Sequence, residues 1–87
     1  MKKEEFAAAV SEVEKTGLPF KAYPDTYLIN VTDISGIVQS YYASTGTAIF
    51  RDSNNKYHSQ KHTEKGMQLS KFLELCSSED DIMDFFD

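Results

Sequence analysis

Ile37-Val38-Gln39-Ser40-Tyr41-Tyr42-Ala43-Ser44-Thr45-Gly46-Thr47-Ala48-Ile49-Phe50-Arg51 holds two runs rich in β-branched and aromatic residues around Thr45-Gly46. Side chains of this kind fit the pleated, half-buried surface of a sheet, and a Gly between two such runs supplies the turn of a hairpin. Residues 37–44 and 47–51 are therefore expected to be paired antiparallel strands. Upstream, Tyr27, Ile29 and Val31 alternate with Leu28, Asn30 and Thr32, which predicts a further strand with one face more apolar. Pro24-Asp25 marks its start, and Asp33-Ile34-Ser35-Gly36 closes it with turn chemistry. Downstream, Asp52-Ser53-Asn54-Asn55 is a second turn, and residues 57–59 are either a short return strand or a polar loop.

Helices are expected on both sides of this meander. Over residues 2–16, Phe6, Val10 and Val13 recur at helical spacing with Ala9 on the same face. Glu4 and Glu5 in the first turn and Lys15 near the last suit the helix dipole. Gly17 then offers a left-handed cap, and Pro19 blocks continuation. Near the other end, Leu69, Phe72, Leu73 and Cys76 form a helical stripe that starts at Ser70 as cap or nearer Glu64. Ser78-Glu79-Asp80-Asp81 fits a capping box for a second short helix carrying Ile82, Phe85 and Phe86. The expected fold is α+β in the order α-β-β-β-α-α. Its antiparallel meander has three strands, or four if residues 57–59 return, and helices cover it.

Eighty-seven residues leave room for one core, so residues 1–87 are expected to form a single domain. At 40% hydrophobic and 13% aromatic, the composition is that of a folded protein. A lone Cys76 excludes an internal disulfide and suits a reducing compartment. Met1-Lys2-Lys3-Glu4-Glu5 leads into an alanine-rich helix without an apolar run, so no signal peptide or membrane span is expected and a cytoplasmic location is.

Charge is distributed unevenly. The last fourteen residues hold six carboxylates (Glu74, Glu79, Asp80, Asp81, Asp84, Asp87) and no Lys or Arg, interleaved with Leu75, Ile82, Met83, Phe85 and Phe86. In residues 1–73, nine bases face eight acids, so the net charge of −5 belongs to one end of the chain. These acids either solubilise a terminal helix or present a negative face to a partner.

Catalytic and metal chemistry find little support. His58 and His62 are four apart in a polar segment, where two solvated histidines are the ordinary reading, and no zinc-ligand pattern exists. The serines lack a nucleophile-elbow pattern, and Cys76 on an apolar stripe reads as a small hydrophobe. No catalytic residue, metal site or cofactor is assigned, and a non-enzymatic protein is expected.

Residues 51–65 fit a nucleic-acid contact. Arg51, Lys56, Lys61 and Lys65 surround Tyr57, and cations among aromatic rings can follow a phosphate backbone and stack on bases. The α-β-β-β-α order also resembles the double-stranded-RNA-binding domain in topology, although Ser70-Lys71-Phe72 lacks that family's Lys-rich helix start.

Element order, size and an acidic C-terminal end resemble those of certain small phage-encoded anti-CRISPR proteins. That resemblance implies an acidic face occupying the site where an effector nuclease would grip DNA, in a phage or its bacterial host. Tyr41-Tyr42-Ala43-Ser44-Thr45-Gly46 is similar to a Tyr-Tyr-Pro-Ser-Thr-Gly pattern of small phage proteins, with Ala43 in place of the proline. Asp80-Asp81-Ile82-Met83-Asp84-Phe85-Phe86 resembles the acidic tip of bacterial single-stranded-DNA-binding proteins, but the chain ends in Asp87 rather than Phe.

The leading expectation is an interaction protein, such as a phage inhibitor mimicking nucleic-acid phosphates. It would hold a basic protein surface, for example that of a nucleic-acid-binding enzyme, with Glu74, Glu79, Asp80, Asp81, Asp84, Phe85 and Asp87. The alternative is a small nucleic-acid-binding domain that uses Arg51, Lys56, Tyr57, Lys61 and Lys65.

Overall fold

A computed structural model describes residues 1–51 and 61–78. The elements are α1 (Lys3–Glu14), β1 (Phe20–Tyr23), β2 (Leu28–Thr32), β3 (Val38–Tyr42), β4 (Thr47–Arg51), β5 (Lys61–Glu64) and α2 (Leu69–Cys76). The five strands form one antiparallel sheet in the order β1-β2-β3-β4-β5. The α+β class and the antiparallel meander are as expected. The strand count is not: five strands replace three or four.

Both additional strands lie at sheet edges, where the sequence signal is weak. Phe20-Lys21-Ala22-Tyr23 is only four residues long and sits between Pro19 and Pro24, yet it pairs with β2 along its whole length. Proline is tolerated beside an edge strand because the ladder on that side ends there. Lys61-His62-Thr63-Glu64 is polar throughout, and the expected return at 57–59 falls outside the described residues. The return strand that is described pairs β5 with β4, Arg51 opposite Lys61 and Ala48 opposite Glu64. Charge on an exposed edge discourages pairing with another chain.

Tyr27 also departs from expectation. It belongs to the β1–β2 turn rather than to β2, with φ at 54°. Left-handed backbone is costly for an aromatic residue and must be held by its surroundings. Here the ring packs edge-on against Phe6 at 5.4 Å, and the hydroxyl donates to the Met1 carbonyl at 3.0 Å.

The inner sheet face and both helices close one core. Ile29, Val31, Tyr41, Ala48 and Phe50 from the strands meet Phe6 and Val13 of α1 and Phe72, Leu73, Leu75 and Cys76 of α2. Phe72 is the hub, with ring centroids 5.1 Å from Tyr41 and 5.6 Å from Phe50. Burying a side chain of this size contributes roughly 1.5–3 kcal/mol.

Both ends of α2 are tied to turns of the sheet. At its start, Met67 donates its N–H to the Gly46 carbonyl at 2.9 Å, and the Tyr41 hydroxyl donates to the Met67 carbonyl at 2.7 Å. At its end, the Ile34 N–H donates to the Cys76 carbonyl at 3.1 Å. The helix begins after Gln68 with no side-chain cap, so Ser70 lies inside the helix and is not its cap. The second C-terminal helix expected from Ser78 onward falls on residues outside those described.

Candidate interaction surface

Covering one sheet face with helices leaves the other face outward. Strand alternation assigns the outward positions, and the cross-strand register arranges them in rows that run across the strands. One row is Tyr23, Leu28, Tyr42 and Thr47. The next is Lys21, Asn30, Ser40, Ile49 and Thr63. A third starts with Thr32 and Val38 on β2 and β3, and Arg51 and Lys61 hold the corresponding positions on β4 and β5. None of these positions carries Asp or Glu, whereas Lys21, Arg51 and Lys61 are basic.

Arg51 is held from two sides. On the inner side, the backbone ladder between β3 and β4 stops at Ser40–Ile49, and the Gln39 side chain takes over. Gln39 is fully buried, and its Oε1 accepts the Arg51 N–H at 2.6 Å while its Nε2 donates to the Arg51 carbonyl at 3.2 Å. The same Nε2 donates to Asp33 Oδ2 at 3.0 Å. Asp33 Oδ1 accepts the N–H groups of Ser35 and Ile37, both at 2.9 Å, so a single carboxylate shapes the β2–β3 turn and orients Gln39. All buried side-chain polar atoms among the described residues are hydrogen-bonded, which offsets the cost of placing Asp33 and Gln39 inside.

On the outward side, Arg51 Nη1 donates to the Val38 carbonyl at 3.0 Å and to Ser40 Oγ at 2.9 Å. Ser40 Oγ in turn donates to Asn30 Oδ1 at 2.7 Å. Every bond in this chain runs from Arg51 toward Asn30, and among the described residues the Asn30 amide N–H groups have no acceptor. Lys21 stands opposite Asn30 on β1, its ammonium 5.4 Å from the centre of the Tyr23 ring. Neither Lys21 nor Arg51 has a carboxylate partner among the described residues. Lys21, Tyr23, Asn30, Thr32 and Val38, with Pro19 at the rim, line an open depression of about 300 Å³.

The sequence-derived candidates are distributed as follows. Arg51 and Lys61 face each other across β4 and β5, so this part of the basic segment is brought together. Lys65 is exposed beyond the end of β5, and Lys56 and Tyr57 lie outside the described residues. Glu74 is exposed on α2. The other acidic-face residues (Glu79, Asp80, Asp81, Asp84, Asp87) and Phe85 lie outside the described residues. His62 is half-buried on β5 and donates from Nε2 to Glu64 Oε1 at 2.8 Å, and His58 also lies outside them. No group of three or more His, Cys, Asp or Glu side chains gathers among the described residues. Cys76 is fully buried, and burial, reinforced by the Asp33 charge, pushes its thiol up to about 12. It is protonated and inert at neutral pH.

Sequence reading missed Lys21, Tyr23 and Asn30 as surface partners, and Gln39 and Asp33 as their support. The period-two alternation of Phe20-Lys21-Ala22-Tyr23 was the available signal for the first two. No helix among the described residues is long and apolar enough to cross a membrane. The sequence matches no family model, no curated protein and no solved structure.

Proposed function

We propose that this chain is a non-enzymatic binding protein whose working surface is the outward sheet face, and that this face takes the phosphate backbone of a nucleic acid. One observation supports the reading most directly. Among the described residues, the outward positions carry the Lys21 ammonium, the Asn30 amide and the Arg51 guanidinium and no carboxylate. Donors with no acid beside them are complementary to an anion, and a guanidinium already held by neutral oxygens loses little freedom on binding. The overall charge of −5 opposes polyanions at long range, but salt screens it beyond roughly 10 Å while direct contacts persist. Titrating a labelled mixed-sequence oligonucleotide with the protein at low salt tests this reading. Binding that weakens when Lys21 and Arg51 are replaced by Ala supports it, and no binding refutes it.

A second reading rests on the concentration of acid at the other end. Glu74 is exposed on α2, whose inner stripe is spent on the core, and the sequence beyond it adds five carboxylates without a base. As an inhibitor of the phage type, the chain would set these acids against a basic protein groove in place of DNA phosphates. Reversal of Asp80, Asp81 and Asp84 to Lys would abolish capture of such a partner without unfolding the domain. Capture that survives the reversal refutes this version.

A further inference from the structure

Resting on the nucleic-acid reading of the outward face, we infer that its ligand is single-stranded, with bases against the Tyr23–Tyr42 row and phosphates along the Lys21–Asn30–Ser40 row, which the Arg51 guanidinium reaches from the adjoining row. The two rows are adjacent. Lys21 and Tyr23 are two residues apart on β1, as are Ser40 and Tyr42 on β3, which separates the rows by roughly 6.5–7 Å. One row offers two phenol rings with Leu28 between them, and the other offers charged and neutral donors.

A single strand has matching sides, a line of flat rings beside a line of anions. Exposed aromatic rings on a sheet, flanked by cations, suit unstacked bases. A duplex hides its ring faces in the stack and offers this surface only phosphate, so the tyrosines would gain nothing from it.

Four further observations fit the single-strand reading. Tyr23 is 36% exposed and Val38 43% exposed, so the face holds apolar surface at the β1 edge and at the start of β3. A depression of about 300 Å³ is lined by both of them together with Lys21 and Asn30, which places ring-sized space beside residues that carry anion donors. Lys21 sits over the Tyr23 ring, 5.4 Å from its centre, so a phosphate on Lys21 would lie beside that ring. Arg51 is fixed at the far side through Ser40 and Val38, which gives the face a second anion contact three strands from the first.

Fluorescence anisotropy with the full chain separates the possibilities. The probes are labelled single-stranded DNA and RNA of one mixed sequence, the matching DNA duplex, and polyglutamate of equal charge. Single strands are expected to bind at least tenfold more tightly than the duplex or polyglutamate. Tyr23→Ala should weaken single-strand binding about tenfold and leave duplex binding unchanged, while Tyr23→Phe restores it. Circular dichroism of the Tyr23 variants checks that the sheet is intact. Equal affinity for duplex or polyglutamate, or a neutral Tyr23→Ala, overturns the single-strand inference and leaves the anion-binding face standing. No binding of any polyanion at low salt overturns both.

Discussion

Gln39 stands in for a peptide group opposite Arg51, its side-chain amide bonding both the Arg51 N–H at 2.6 Å and the Arg51 carbonyl at 3.2 Å. The backbone ladder of β3 and β4 ends at Ser40–Ile49, two residues short of Arg51, so this amide extends the strand pairing to the end of β4. Asp33 orients the amide from the β2–β3 turn. A buried relay thus connects a turn carboxylate to a surface cation two strands away.

Gln39→Leu keeps the volume of the site but leaves the Arg51 N–H and one Asp33 oxygen without their partner. Each buried group stranded in this way costs about 1–3 kcal/mol. Urea denaturation should show a loss of about 2–4 kcal/mol, well beyond an ordinary surface substitution. Asp33→Ala and Gln39→Ala should be less than additive when combined, because each alone already disables the shared bond. Strict additivity would show that the relay does not act as a unit.

The glycines differ in a way that chain position does not reveal. Gly46 has φ at +72°, and a Cβ there would lie 3.0 Å from the Met67 carbonyl oxygen, the turn that anchors α2. Gly36 has φ at +86° with nothing within 4 Å. Left-handed strain alone costs about 1–2 kcal/mol for Ala. Gly36→Ala should lose about that much in chemical denaturation, and Gly46→Ala measurably more, because backbone must also move. Equal losses would mean that the Gly46–Met67 approach is not a constraint.

Two buried acids make the fold sensitive to alkali. The Cys76 thiol is raised to about 12 from a usual 9.0, and burial also raises the Tyr41 phenol above its usual 10.0. Both groups stay protonated in the folded chain while the unfolded chain ionises. Their stabilising contribution is therefore complete below about pH 9 and is lost as pH rises toward 12. Urea midpoints should be level up to pH 9 and fall above it, with Cys76→Ala removing the earlier part of the fall and Tyr41→Phe part of the later. A thiol reagent should leave Cys76 untouched at pH 7 until the protein is denatured.

The hairpin at Thr45-Gly46 and the first helix were legible because local signals agree: β-branched runs around a turn, and an apolar stripe closed by Gly17 and Pro19. The edge strands were not. Phe20-Lys21-Ala22-Tyr23 is too short for periodicity to stand out between two prolines, and Lys61-His62-Thr63-Glu64 is a strand because β4 offers it partners. The candidate surface was hidden for a related reason. Acids clustered in sequence are visible as a run, whereas Lys21, Asn30 and Arg51 become neighbours only through the register of four strands. Arg51 was singled out as a cation, but the face it shares with Lys21 depended on finding β1.

Lys21 and Arg51 are proposed to contact phosphates on the outward sheet face. The most direct measurement is the salt dependence of single-stranded oligonucleotide affinity between about 50 and 200 mM, for the native chain and for the Lys21→Ala, Arg51→Ala double variant. The native slope of log affinity against log salt should be steep, and the variant slope should be shallower by about 1.4, or about 0.7 for each lost contact. An unchanged slope in a folded double variant would contradict the claim.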